Sequence, residues 1–136
     1  MTVTVRIAML FGALLAVAGP ARAEPLDGAS VRAFMLGTKM SGVLVETGER
    51  WYECVSPAGD TVYNIEGSIS TGFVEVDDAG TTCFTYPRSN ETARACFRVE
   101  MEGGTRVFVD LDGGMHFRVT GLDRGFDQCL TSAPVS

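Results

Sequence analysis

The chain has little of what most catalytic or metal-binding sites require. It contains a single histidine, His116, and its four cysteines include no C-x-x-C pair of the kind that zinc and redox sites use. No serine lies in a nucleophile elbow, and the glycines form no phosphate-binding motif. Asp77-Asp78 and the stretch Asp110–Gly114 do not match a calcium loop, and we interpret both as turns, with a catalytic carboxylate pair as the alternative. These absences predict a protein that is not an enzyme and has no metal or cofactor.

Basic residues are scarce and are not clustered. Eleven Lys and Arg stand against 17 Asp and Glu, which gives a net charge of −6. Because an acidic surface repels phosphate backbones, nucleic acid is excluded as an expected partner.

The amino terminus predicts export. Arg6 precedes the apolar run Ile7–Ala18, and a Gly-Pro breaker and the sequence Ala21-Arg22-Ala23 follow it. This order is typical of a secretory signal peptide over residues 1–23, cleaved after Ala23. The apolar run is shorter than the roughly 20 residues that span a bilayer, so we expect no membrane insertion after cleavage. Residues 24–136 then form one domain, either periplasmic or secreted.

The cysteines are predicted to be structural. An even number in a short exported domain indicates disulfide bonds, and four cysteines allow three connectivities. In the stretches "TCFTY" and "CFRVEM" the alternation of a strand places Cys83 and Cys96 on the polar face. A hairpin through "PRSNET" sets these two opposite each other, which predicts a cross-strand disulfide. Cys54 and Cys129 then pair by elimination.

Alternating apolar and polar residues predict an all-β fold. The links between the predicted strands are rich in Gly, Asp, Asn, Ser and Pro, as hairpin loops require, and include "GSIS" and "DDAG". Eight short strands joined in this way predict an antiparallel meander, closed into a small lipocalin-like barrel, with a two-sheet β-sandwich as the alternative. The strands are expected near Thr38–Thr47, Arg50–Ser56, Thr61–Glu66, Gly72–Asp77, Thr81–Pro87, Arg94–Met101, Thr105–Asp110 and Met115–Gly121.

One segment, Leu26–Gly37, has a helical pattern. Asp27 is suited to cap it, and Val31, Phe34 and Met35 recur at helical spacing. We expect a short amphipathic helix that packs over one end of the sheet.

The order of four stretches also carries a resemblance. "VRAFMLGTKMSG", "RWYECVSPAGDTVY", "GFVEVDDAGTTCFTYP" and "ACFRVEMEGGTRVFVDLDG" resemble small exported alpha-proteobacterial proteins classed as a domain of unknown function. The resemblance implies export and a β-rich fold, and it implies no site residues. Phe73 stands where that family usually has Trp, which we interpret as a change of one core aromatic for another.

Aromatic residues supply the candidate binding surface. Val107, Val109 and Leu111 are expected to face inward, which leaves Phe108 outside, and one of Trp51 and Tyr52 also points outward. If Phe108 lies beside that ring, the pair would form a binding patch, although separate single rings are the preferred interpretation.

Two functions follow from the sequence. The first is a non-catalytic binding or interaction protein that contacts an envelope or secreted protein, for example as an inhibitor of a hydrolase. The alternative is a carrier of a small apolar ligand inside the barrel, which requires inward side chains that do not fill the space. Cavities that serve as ligand sites typically measure at least ~300 Å³.

Overall fold

The fold is mostly β-structure with one short helix. The computed structural model describes Gly19, residues 23–125 and Cys129. The predicted signal segment lies almost entirely outside the described residues, so the cleavage after Ala23 stays a prediction. The elements are β1 (Glu24–Pro25), α1 (Gly28–Met35), β2 (Thr38–Leu44), β3 (Arg50–Val55), β4 (Asp60–Ile65), β5 (Ser68–Val76), β6 (Thr82–Pro87), β7 (Thr92–Glu102), β8 (Thr105–Asp110) and β9 (His116–Arg124).

Strands β2 to β9 close into an eight-stranded antiparallel barrel. Each strand pairs with the next along the chain, and β9 returns to pair with β2 from Thr38↔Arg124 to Leu44↔Phe117. This last pairing removes both free edges of the meander. The predicted barrel is therefore confirmed in preference to the two-sheet sandwich.

The strand boundaries differ from the prediction at two turns and at the end of β9, which continues to Arg124 rather than stopping at Gly121. The β4–β5 turn is only Glu66-Gly67, both at positive φ (48° and 84°), so β5 begins at Ser68, inside the predicted link "GSIS". Two residues at positive φ suffice for a tight hairpin, and the strands then pair up to the turn. At the other turn β2 ends at Leu44 rather than Thr47, because the Gly48 amide donates to the Leu44 carbonyl and closes a turn there.

Helix α1 covers one end of the barrel, as predicted. The Asp27 side chain caps it by accepting a 2.8 Å hydrogen bond from the Ser30 amide, and Gly37 follows it at φ 73°. Val31, Phe34 and Met35 are buried in the core. The helix also contacts the β5–β6 turn closely: a Cβ on Gly28 would lie 2.1 Å from the Asp77 carbonyl oxygen, so only glycine fits.

Strand β1 lies outside the ring and was not predicted. It pairs with the end of β7 through Glu24↔Met101, and the Leu26 amide donates to the Val99 carbonyl. Strand β6 pairs with the same edge of β7, but that pairing ends at Phe97, opposite Thr82. Strand β1 therefore supplies hydrogen bonds to a part of β7 that β6 does not reach.

Both predicted disulfides are present. Cys83 lies opposite Cys96, with Phe84 opposite Ala95, as the hairpin register required. Cys54 on β3 pairs with Cys129 across a sequence separation of 75. On the loop-entropy model a bridge of this length stabilises the fold by about 4 kcal/mol. Two disulfides fit an oxidising environment outside the cytoplasm.

Candidate functional site

The inward side chains leave a cavity inside the barrel. Its volume is about 170 Å³, less than the ~300 Å³ of a typical ligand site but similar to the engineered cavity of about 150 Å³ that binds benzene. Seven of its ten lining residues are aromatic. The lining consists of Met40, Trp51, Glu53, Tyr63, Phe84, Tyr86, Ala95, Phe97, Phe108 and Phe117.

The aromatic walls pack against one another in fixed orientations. The Phe97 ring lies 5.5–6.1 Å from the rings of Phe84, Phe108 and Phe117, and each of these pairs is close to perpendicular. Such edge-to-face pairs are favourable beyond the area that they bury. Phe108 also contacts Phe34 of α1, so the helix supports this wall from behind.

Small residues make room for the large rings. Ala95 on β7 lies opposite Phe84 and contributes only a methyl group to the wall. A Cβ on Gly72 would lie 3.0 Å from Cδ1 of Tyr86 and 1.9 Å from the Thr85 carbonyl oxygen, so the Tyr86 ring uses the space that this glycine leaves. The cavity therefore depends on an alternation of small and large residues around the barrel.

Glu53 is the only carboxylic acid among the lining residues. It follows Trp51 on the inward face of β3 and is 5 % exposed. The Tyr86 hydroxyl donates to its carboxyl group, at 3.0 and 3.1 Å from the two oxygens, and the Thr61 hydroxyl makes a short hydrogen bond to it. Burial raises the pKa of Glu53 to about 8, although the hydrogen bonds with Thr61 and Tyr86 act in the opposite direction and lower it. Glu53 is therefore protonated at neutral pH.

The hydrogen bonds around Thr61 agree with a protonated Glu53. The Thr61 hydroxyl lies within hydrogen-bond distance of Glu53 and of the Cys54 carbonyl oxygen, the latter at 3.0 Å. A hydroxyl group has one proton and cannot donate to both acceptors. When Glu53 carries a proton, it donates to Thr61, and Thr61 donates to Cys54. Every group in this chain is then satisfied.

The two tyrosines near Glu53 are also neutral. Burial, together with the charges of Glu53 and Glu49, raises the pKa of Tyr63 to about 12. Burial and Glu53 raise the pKa of Tyr86 further above the ordinary value. At neutral pH the cavity is therefore an uncharged, largely aromatic space with one protonated acid in its wall.

Trp51 is the only tryptophan of the chain and lines the cavity. Its indole Nε1 is buried without a hydrogen-bond partner in the described part of the protein. A buried donor without a partner costs free energy unless another group supplies the acceptor.

The structure separates the three aromatics proposed for a binding surface. Phe108 is 3 % exposed and Trp51 is equally buried, and both line the cavity; Tyr52 is 50 % exposed on the outer face. The prediction that Phe108 faces outward is wrong. Val107 and Val109 lie on the outer face of β8, whereas the inner face combines Phe108 with the polar residues Arg106 and Asp110. Alternation of apolar and polar residues therefore indicated the wrong face.

Phe73 is likewise not a core residue. It is 42 % exposed on the outer face of β5, while Val74 next to it is buried. The interpretation of Phe73 as a core aromatic is therefore wrong, because the two-residue turn at Glu66-Gly67 sets the register of β5 and directs Phe73 outward.

Glu53 was not predicted from the sequence, although a signal for it existed. Alternation in "RWYECV" places Trp51 and Val55 on one face, and Glu53 lies between them on that same face. An acidic residue flanked by two core residues indicates a buried carboxyl group.

The residues that the sequence offered as catalytic candidates have structural partners. His116 lies at the barrel end opposite α1, where its ring nitrogen Nδ1 and its backbone amide contact the Glu46 carboxylate. All four cysteines form disulfides. The Asp77 carboxylate accepts from the Thr81 amide, and that of Asp110 from the Asp112 amide, as turn residues do.

Within the described residues no three His, Cys, Asp or Glu side chains are grouped so that they could hold a metal ion. No helix in the same part of the chain is long and apolar enough to cross a membrane.

The comparisons with known proteins add no relatives. No protein-family profile, no curated protein and no solved structure matches this chain. The resemblance to small exported alpha-proteobacterial proteins therefore stays a prediction.

Proposed function

We propose that this protein binds a small apolar molecule inside the barrel and serves as its carrier or receptor. The observation that supports this function is the aromatic cavity of about 170 Å³. A concave apolar space lined mostly by aromatic residues, with a few polar groups in its wall, is typical of small-molecule sites. A molecule with a single six-membered ring matches this cavity in size.

The packing of the walls also supports a ligand. The rings contact one another edge to face and the helix supports them, so the cavity is preformed. A preformed apolar site avoids the entropic cost of ordering side chains upon binding. We expect such a site to bind a rigid ring more tightly than a flexible chain of the same size.

A protein-binding function has less support on this surface. The patch that an outward Phe108 could have formed is absent, since that ring is inside the barrel. The outward residues Tyr52 and Ile69 lie two strands apart, with Asn64 between them in register. Single exposed apolar residues of this kind are normal on a protein surface.

The proposed site of action is outside the cytoplasm. The amino-terminal segment has the order of a signal peptide, and the two disulfides require oxidising conditions to persist. We infer a periplasmic or secreted carrier.

Fluorescence of Trp51 tests the proposed function directly. Because the chain has one tryptophan and it lines the cavity, titration with benzyl alcohol should shift or quench the emission in a saturable way. Ala95→Phe places a ring in the cavity and should abolish this change, and Ala95→Leu should weaken it. Ala29→Leu, on the exposed face of α1, is the matched control and should bind as the parent does.

Two results would contradict the proposal. One is a parent protein whose emission does not respond to benzyl alcohol up to its solubility limit. The other is an Ala95→Phe variant that binds with unchanged affinity, which would place the ligand elsewhere.

A further inference from the structure

The cavity contains an acid with no basic partner. Glu53 is buried among aromatic rings, its partners are the hydroxyl groups of Thr61 and Tyr86, and no Lys, Arg or His belongs to the lining in the described part of the chain. Burying an acid in this way is costly, whether it loses its charge or keeps it. A glutamine at this position would avoid the cost of ionisation, and an apolar residue would fill the space.

We infer that the ligand of this cavity is a small primary amine with an apolar ring, whose ammonium group pairs with the Glu53 carboxylate. This inference rests on the proposed function and names its ligand class. A buried carboxylate is stable when a cation pairs with it and other donors satisfy its remaining lone pairs. Tyr86 already donates to this carboxyl group, the Thr61 hydroxyl can turn its proton toward it, and the ligand supplies the cation.

The aromatic walls fit the same ligand. The π faces of Trp, Tyr and Phe attract cations, and this attraction grows when water is excluded. Trp51, Tyr63 and Tyr86 line the cavity together with Glu53. An apolar ring would fill the phenylalanine-lined part, and the ammonium group would lie beside the carboxyl group.

Binding is coupled to the release of a proton. At neutral pH the free protein holds Glu53 as the acid, and the amine in solution is an ammonium ion. When they pair, the O–H bond of Glu53 breaks, its proton goes to the buffer, and no covalent bond forms. Thr61 then donates to the carboxylate instead of the Cys54 carbonyl, from which it is 3.0 Å away.

Groups that could disturb this coupling are few. The ionisable side chains that line the cavity together with Glu53 are Tyr63 on β4 and Tyr86 on β6, and burial keeps both phenols neutral. Lys39 on β2 lines a neighbouring pocket that Glu53 also borders. The lining residues from β2, β7, β8 and β9 are Met, Ala and Phe, which carry no charge. The pH dependence of amine binding between pH 6 and 8 therefore reports Glu53.

Benzylamine and benzyl alcohol form a matched pair of probes, because they differ only in the amino and hydroxyl groups. Calorimetry of the disulfide-bonded protein should show that benzylamine binds at least tenfold more tightly than benzyl alcohol at pH 8. Its affinity should rise up to tenfold per unit between pH 6 and 8, since one proton is released per molecule bound. The number of protons released follows from the change in the observed binding enthalpy among buffers of different ionisation enthalpy at pH 7.

Glu53→Gln is the decisive variant. It should lose at least tenfold in benzylamine affinity, together with the pH dependence and the proton release. Its near-UV circular dichroism should match that of the parent, which shows that the cavity is still folded, and its loss of affinity for benzyl alcohol should be smaller than that for benzylamine. Glu75→Gln, the same change on the exposed face of β5, should leave both affinities unchanged.

The outcomes separate the two proposals. If neither probe binds, the proposed function fails. If benzyl alcohol binds and benzylamine is no tighter at pH 8, or releases no proton, the cavity binds neutral ligands and the amine inference is wrong. An affinity for benzylamine that survives in Glu53→Gln would also overturn the inference.

Discussion

The ring of Trp51 lies directly over Gly42 of the neighbouring strand. A Cβ at position 42 would be 2.6 Å from Cζ2 of the indole and 1.9 Å from the carbonyl oxygen of Arg118. The two residues are cross-strand neighbours in β2 and β3, and the β2–β9 register shifts between Ser41 and Gly42. The missing side chain thus allows the indole to lie flat against the wall of the cavity.

Gly42→Ala should therefore destabilise the protein and move Trp51. Both a backbone oxygen and a ring must shift, and overpacking of this kind typically costs about 1–3 kcal/mol. Urea unfolding measures the loss, and the emission maximum of Trp51 reports the displaced ring. Gly121→Ala is the matched control on β9, because its Cβ would meet the hydroxyl end of Ser41, a side chain that can rotate away. Equal losses in both variants would contradict this account.

The free energy of unfolding should fall as the pH rises from about 5 to 8. Burial raises the pKa of Glu53 from 4.5 to about 8, so over this interval the folded state keeps a proton that the unfolded state has lost. The contribution to the slope is up to about 1.4 kcal/mol per pH unit, and it disappears above pH 8, where Glu53 is ionised in both states.

Glu53→Gln removes the group that holds this proton in the folded state. The free energy of unfolding of the variant, measured by urea at pH 5, 6, 7 and 8, should lack the downward slope that the parent shows. Glu75→Gln, on the outer face of β5, should keep the parental slope. Parallel curves for the parent and Glu53→Gln would show that the carboxyl group is not protonated in the folded state.

Phe108→Ala should destabilise the barrel strongly. The ring contacts Phe34, Phe84 and Phe97 in the core, and removing a buried phenylalanine typically costs about 3–5 kcal/mol. Phe73→Ala makes the same change on the outer face, where we expect a loss below about 1 kcal/mol. Thermal or urea unfolding of the two variants gives the comparison. A small loss for Phe108→Ala would place its ring outside, as the sequence alone suggested.

Several features of this fold depend on local interactions, and the sequence alone predicted them. Asp27 and Gly37 bound a helix because capping and a positive φ are properties of a few neighbouring residues. The pairing of Cys83 with Cys96 followed from alternation in two adjacent strands joined by a short loop. The eight strands and the tight turns between them likewise depend on residues that are close together in the sequence.

Other features required the closed barrel. Phe108 has apolar neighbours on both sides along β8, and only the pairing of β8 with β7 and β9 directs its ring inward. Strand β1 has two residues, and its position depends on where β6 stops along β7.

The sequence by itself thus determined the helix, the strands and the disulfides, because each follows from contacts within a hairpin, from capping, or from pairing by elimination. Tertiary structure decided the candidate site. Glu53, Trp51, Tyr86 and Phe108 come from three strands that are distant in sequence, and closure of the sheet brings them around one space. Whether that space is filled depends on the summed volumes of side chains from opposite walls, which no local pattern specifies.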